Sequence, residues 1–151
     1  MKYVSMKHVF FFVLISTALF TACTKDSNKP DLPSQQYILY NYSQGSPVEA
    51  GTFTIQQQAD STASLTIQLT SGFYVPSVSM PAAIVNADSV SGVDFVYANL
   101  NPVDGNNGLS VTSPVKMTNN LAVTYSDLIS KKGYRVRVMN GSNVQAMGTL
   151  Q

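Results

Sequence analysis

Residues 51–70, "GTFTIQQQADSTASLTIQLT", hold two apolar/polar alternations on either side of a polar turn. Phe53 and Ile55 alternate with Thr52, Thr54 and Gln56. Leu65, Ile67 and Leu69 alternate with Thr66, Gln68 and Thr70. A period of two sends one set of side chains to a core face and the other to water, which is the signature of a half-buried β-strand. The Ala59-Asp60-Ser61 stretch between them has turn chemistry. The same period recurs near the end of the chain. In "YRVRVM", Tyr134, Val136 and Val138 alternate with Arg135 and Arg137, and "VQAMGTLQ" continues the pattern with Val144, Ala146 and Leu150. Further turn signals stand at Gln44-Gly45, at Asp104-Gly105-Asn106-Asn107-Gly108 and at Asn140-Gly141.

Several short strands separated by such turns predict an all-β fold, an antiparallel β-sandwich or barrel. The expected form is a β-sandwich, immunoglobulin-like or superoxide-dismutase-like in its Greek-key connections, with one short helical turn. That turn is "YSDLISKKGY". Ser126 offers a cap, Lys131 and Lys132 sit at the negative end, and Gly133 can stop the helix in a left-handed conformation.

The N-terminus has a different character. Lys2 and Lys7 precede 14 residues, Val9 to Ala22, that carry no formal charge apart from a preceding His8. That run is short of the roughly 20 residues a transmembrane helix needs. It fits the apolar region of a secretory signal peptide behind a basic segment. Phe20-Thr21-Ala22-Cys23 then resembles a bacterial lipobox, with small residues just before the cysteine. Phe20 stands where the pattern usually has leucine. Cys23 is the only cysteine of the chain. Left free in an oxidising compartment it would be reactive or intermolecular, and acylation disposes of the thiol. Acyl chains contribute about 0.8 kcal/mol per buried methylene, so several of them anchor a protein durably.

The sequence therefore divides into a signal peptide over 1–22, a lipidated tether over 23–36 and one domain over 37–151. The tether is polar, with Pro30 and Pro33 and no hydrophobic period. Thr24, and not an aspartate, follows the cysteine, which agrees with outer-membrane sorting, on the periplasmic face or the cell surface. From Cys23 onward, the nine Lys/Arg of the chain lose Lys2 and Lys7, leaving seven against eight Asp/Glu. The segment has no histidine, since the only one is His8.

The order of the pieces resembles the CHRD (chordin-type) domain found also in bacterial secreted proteins. "YILYNYSQGSPVEAGTFTIQQQADSTASLTIQL" follows that family's opening strand, proline-containing loop and polar hairpin. "DGNNGLSV" follows its Gly/Asn turn and apolar strand, and "YSDLISKKGYRVRVMNGSNVQAMGTL" follows its last third. The resemblance spans residues 37–151 and implies a fold. Members typically carry His-x-His before the Gly/Asn turn and another histidine late in the domain. The matching stretches here, "FVYANL" and "VRVMNG", have none, so the resemblance implies no site residues.

Composition narrows the chemistry. Zinc and copper sites draw on His and Cys, and the mature chain offers only an acylated cysteine. "DGNNG" has oxygen ligands in Asp104, Asn106 and Asn107 but lacks the spacing and closing glutamate of an EF-hand, so it reads first as a turn. No G-x-S-x-G motif is present. Asp88 and Asp94 are the pair a carboxylate-only hydrolase would use, although "NADSVSGVD" reads as a loop. No cofactor or metal is expected, and no enzyme activity. Lys131, Lys132, Arg135 and Arg137 form a local basic cluster on a near-neutral chain, which lacks the field of a nucleic-acid binder.

Tyrosine is the remaining candidate. Seven of the eight lie in the domain, and aromatic side chains anchor protein interfaces or stack on sugars. The expected ligand surface is Tyr40, Tyr42 and Tyr74, with Tyr40 and Tyr42 on one face of a strand. Asp60-Ser61-Thr62 and Asp88-Ser89-Val90 resemble the O-glycosylation acceptor of exported bacterial proteins, at Ser61 and Ser89. The functional expectation is a non-enzymatic envelope lipoprotein that binds or adheres to a protein or glycan partner. The alternatives are a structural subunit of an outer-membrane assembly and, third, the carboxylate-only hydrolase.

Overall fold

The computed structural model describes residues 31–87 and 94–150. Its strands are β1 (Ser34–Asn41), β2 (Val48–Gln57), β3 (Ala63–Leu69), β4 (Ser79–Ala87), β5 (Asp94–Asp104), β6 (Leu109–Thr112), β7 (Tyr134–Asn140) and β8 (Asn143–Thr149), with helix α1 (Tyr125–Ile129) between β6 and β7. They form one sheet in the order β5-β4-β7-β8-β1-β2-β3-β6. Every ladder is antiparallel. The all-β antiparallel architecture read from the alternation is thus present, as a single nearly closed sheet around one core.

The β2–β3 ladder shows why the alternation decides the fold. Phe53 faces Ile67 and Ile55 faces Leu65, and all four are buried. Thr54 faces Thr66 and Thr52 faces Gln68 on the opposite, outer side. The same inward parity brings Leu39, Met80, Ile84, Ala98, Leu100, Val136, Val138 and Ala146 into the core. Tyr37 stacks on Phe53 with ring centroids 4.8 Å apart, within the range where aromatic pairs add to simple burial.

Two seams hold the closed shape together with few ladder bonds. Between β1 and β8 the ladder pairs only Tyr40 with Met147, and Asn41 Nδ2 donates to the Gln145 carbonyl at 2.7 Å. Gly148 permits the close approach, since a Cβ there would lie 2.4 Å from the Ile38 carbonyl oxygen. Between the edge strands β5 and β6, side chains act in place of a ladder. Asn101 donates its backbone N–H to Thr112 Oγ1 at 2.8 Å and its Nδ2 to the Val111 carbonyl at 2.7 Å. Ser110 Oγ donates to the Asn101 carbonyl at 2.7 Å. Ser110 and Thr112 are buried, so these bonds satisfy groups that would otherwise carry a desolvation penalty of about 1–3 kcal/mol each.

Two boundaries differ from the sequence reading. β1 begins at Ser34, inside the stretch assigned to the tether, and Ser34–Gln36 pair with Gln56–Thr54 of β2. Backbone pairing needs no apolar side chain, so a polar composition does not exclude a strand whose outer face is wet. The cap of α1 is Thr124, not Ser126. Thr124 has extended backbone angles and its Oγ1 accepts from the Asp127 N–H at 3.2 Å. Gly133 does take a left-handed conformation, with φ 78°. The segment expected to be a signal peptide (1–22), Cys23 and the first part of the expected tether lie outside the described residues. Among the described residues no helix is long and apolar enough to cross a membrane.

Candidate functional site

Along β1, Tyr37, Leu39 and Asn41 point toward the core side, so Ile38, Tyr40 and Tyr42 share the outer side. Ile38 and Tyr42 are 42% and 51% exposed, Tyr40 is half-buried, and the two tyrosine rings are 6.4 Å apart and tilted by 56°. The common face expected for Tyr40 and Tyr42 is therefore formed. A bulge in β2 decides which residue joins it. Leu39 pairs with Gly51 but Tyr40 pairs with Glu49, which turns the Glu49 side chain outward beside Tyr40. Met147 of β8 flanks Tyr40 on the other side, and Arg137 of β7 follows in the same row.

Tyr74 belongs elsewhere. It packs against the core, with its ring over Gly108, where an added Cβ would meet Tyr74 Cδ1 at 2.6 Å. Among the described residues no ring contact joins it to the Tyr40–Tyr42 pair. The neighbouring Phe73 does reach this end of β1, through its carbonyl. Gln145 Nε2 donates to it at 2.8 Å, so Asn41, Gln145 and Phe73 form a polar plug beside the tyrosines.

At α1, Tyr97 and Tyr134 meet edge to face at 5.2 Å. Tyr97 donates its hydroxyl to Asp127 Oδ2 at 3.1 Å. Lys131 pairs with Asp127 at 3.2 Å and lies 5.3 and 5.8 Å from the two ring centroids, within cation–π range. Burial, then the hydrogen bond to Asp127 and its charge, push the Tyr97 phenol up to about 12. The neutral phenol is thus favoured by the folded state. Its contribution is complete below the ordinary value of 10.0 and is lost as pH climbs from there toward about 12. Denaturation midpoints measured at pH 9 and pH 12 should fall steeply for the native protein and less for Tyr97→Phe. Equal falls would show that Tyr97 does not carry the effect.

The other sequence candidates sort by what their side chains already touch. Ser61 sits exposed at the β2–β3 turn with φ 67°, beside Asp60. The Asp60 carboxylate accepts from Thr62 Oγ1 at 2.6 Å and Thr62 N–H at 3.0 Å, and these bonds hold it below the usual carboxylate range. Ser89 and Asp88 lie outside the described residues. Asp94 is ion-paired with Arg137, and Lys131 is engaged as above, so two of the four basic-cluster residues are neutralised locally. In "DGNNG", Asp104 Oδ1 accepts from Asn106 N–H at 2.9 Å, Asn107 Oδ1 from Leu109 N–H at 2.9 Å and Asn106 Oδ1 from Ser77 N–H at 3.1 Å. Those oxygens are spent on the turn. Among the described residues no group of three or more His, Cys, Asp or Glu side chains gathers.

One concavity was not anticipated. Beyond β6, residues 113–120 run beside β5. Ala98 and Met117 form an isolated bridge, and Thr118 donates its N–H to the Tyr97 carbonyl at 3.1 Å. This leaves an open groove of about 340 Å³ over the β5–β6 seam, lined by Asn99 and Asn101 on one side and by Lys116, Met117, Thr118 and Asn120 on the other. The polar run "KMTNN" (116–120) was the available signal, but by composition it is only a loop.

No protein-family model, curated protein or solved structure matches the chain.

Proposed function

We propose that the protein is a non-enzymatic lipoprotein of the cell envelope, acylated at Cys23, whose domain serves as a binding or adhesion module for a protein or glycan partner. It sits on the outer membrane, at the periplasmic face or the cell surface. The lipobox-like Phe20-Thr21-Ala22-Cys23 supports the anchor. The observation that carries the binding role is the outer face of β1, where Ile38, Tyr40 and Tyr42 stand in one row with two tyrosine rings in contact. Tyrosine contributes large contact area at low conformational cost, which is why it is enriched at the centre of interfaces. The flanking Glu49 and the Arg137–Asp94 ion pair give such a face a polar rim.

A second reading, a structural subunit without its own ligand, draws on β6. Its outer residues Leu109 and Val111 are exposed on an edge strand, and such edges invite assembly. The CHRD resemblance agrees with either reading and supplies no site.

Photo-cross-linking in intact cells separates the two. With a cross-linkable residue at position 38, in the exposed row of the β1 face, a single envelope component should be captured. Tyr40→Ala/Tyr42→Ala should reduce capture at least tenfold, and Cys23→Ala should abolish it by removing the protein from the membrane. Capture that is insensitive to the tyrosine pair would remove the β1 face from the reading. Capture at position 111 alone would favour the structural subunit.

A further inference from the structure

We infer that the groove over the β5–β6 seam is a binding site for an acidic saccharide, a sugar carrying a carboxylate such as a uronic acid. The site is separate from the β1 face and its argument does not depend on it.

Its walls are fixed before any ligand arrives. On one side Asn101 is committed to the seam through its bonds to Thr112 and Val111, which holds the β5 backbone bearing Asn99. On the other side, the Met117 N–H bonds the Leu121 carbonyl at 2.9 Å, and the Asn120 N–H bonds the Met117 carbonyl at 2.9 Å. Thr118 is tied to β5 as described. A site whose walls are held by hydrogen bonds on both flanks loses little freedom on binding, and that saved cost appears as affinity.

The functional groups that remain are specific in kind. Asn99, Lys116, Thr118 and Asn120 project exposed side chains into the groove, and none of these side chains makes a hydrogen bond or ion pair with another described residue. Two carboxamides and a hydroxyl can each donate and accept, which suits the vicinal hydroxyls of a sugar ring. Met117 and Pro114 line the same groove and offer an apolar surface for the C–H face of that ring. Among the described residues Lys116 is the only charged one of the lining, and no described Asp or Glu opposes it there. A neutral sugar would leave this ammonium unused, whereas a uronate carboxylate would pair with it. A phosphate group would call for more cations or converging backbone N–H groups than one lysine provides. At about 340 Å³ the groove is at the small end of ligand sites, which run from about 300 to 1,000 Å³. Its open form fits a short stretch of a longer chain.

The test uses the full chain purified in detergent micelles and a set of tetrasaccharides: galacturonate, glucuronate and mannuronate oligomers beside neutral galactose, glucose and mannose oligomers. Calorimetry should show binding of at least one uronide, at least tenfold tighter than its neutral counterpart and weakened by salt as an ion pair at a surface is. Lys116→Gln should bring the uronide down to the level of the neutral sugar while leaving the melting temperature unchanged, because Lys116 is exposed and makes no ion pair among the described residues. Asn99→Ala/Asn120→Ala should weaken both. Tyr40→Ala/Tyr42→Ala should leave uronide binding intact, so loss of the β1 reading and loss of this one are told apart. Absence of binding to all three uronides would overturn the inference, as would a Lys116→Gln variant that keeps the full preference for acid over neutral sugar.

Discussion

Phe53→Ala should lower the stability of the domain by about 3–5 kcal/mol, the range for truncating a buried phenylalanine. Phe53 is fully buried, and among the described residues it is the largest side chain that is. Its place makes the upper part of that range the expected one. The ring stacks on Tyr37 at 4.8 Å and 11° between planes, faces Ile67 across the β2–β3 ladder, and its edge lies where a Cβ on Gly148 would be 2.9 Å away. It therefore touches residues of β1, β3 and β8 at once. Removing it opens a void beneath the β1–β8 seam, which has only one ladder pair to resist separation. The strands cannot collapse into the space without breaking the Asn41–Gln145 bond, so the cavity persists and its cost is not relieved. Urea denaturation followed by tyrosine fluorescence measures the loss. A fall of less than about 2 kcal/mol would mean that the seam closes in, contrary to this account.

How far the sequence reaches this picture depends on where period two survives. In β2 and β3 the alternation runs unbroken and the ladder carries it without a shift, so strand, face and core side chains are all readable. β7 is equally clear, with buried Val136 and Val138 alternating with Arg135 and Arg137. β4 is not. Ile84 and Val85 are adjacent and both buried, although the β4–β7 ladder sends them to opposite faces, Ile84 beside Val136 and Val85 beside Arg135. With both faces of the strand buried there, no period of two shows in the sequence. Closure is the second thing composition conceals. The β5–β6 seam depends on Asn101, Ser110 and Thr112, polar residues that a hydrophobic pattern assigns to solvent.

The candidate sites divide along the same line. Tyr40 and Tyr42 are two apart on one strand, so their shared face follows from geometry alone. Tyr74 sits in a loop, and only the tertiary path shows that it covers Gly108 and not the β1 face. The groove joins positions near 99 to positions near 118, and no local period relates them. It exists because residues 113–120 run back along the edge strand. Both surfaces thus sit at seams, where the sheet closes with few main-chain bonds. The outer faces of the well-laddered strands β2 and β3 carry mostly Thr and Gln.

Gly51→Ala should be as damaging as the loss of Phe53, and it should erase the β1 face as well. Gly51 is buried at φ 150°, a conformation that L-residues rarely adopt. An added Cβ would stand 2.2 Å from the Gln68 carbonyl oxygen and 2.8 Å from Leu69 Cα. Both are backbone atoms of β3, so no side-chain rotation relieves the clash. Backbone strain at such a position costs about 1–3 kcal/mol, and overpacking a closed interior costs about 1–3 kcal/mol more. The functional consequence comes from register. Gly51 pairs with Leu39 immediately before the shift that gives Tyr40 the partner Glu49. If β2 escapes the clash by abandoning the bulge, its residues before Gly51 slip by one and exchange faces. Glu49 then pairs with Asn41 and points toward the core, and Ala50 takes its place beside Tyr40. A buried, unpaired carboxylate is a large penalty, so the chain must accept either the clash or that burial. Two measurements decide the matter. Denaturation should show a loss of about 2–6 kcal/mol, summed from the strain and overpacking ranges above. Cross-linking from position 38 in intact cells should fail even at temperatures where the variant remains folded. A Gly51→Ala protein with native stability and native capture would show that β2 accommodates a side chain there, and the bulge would lose its role in building the face.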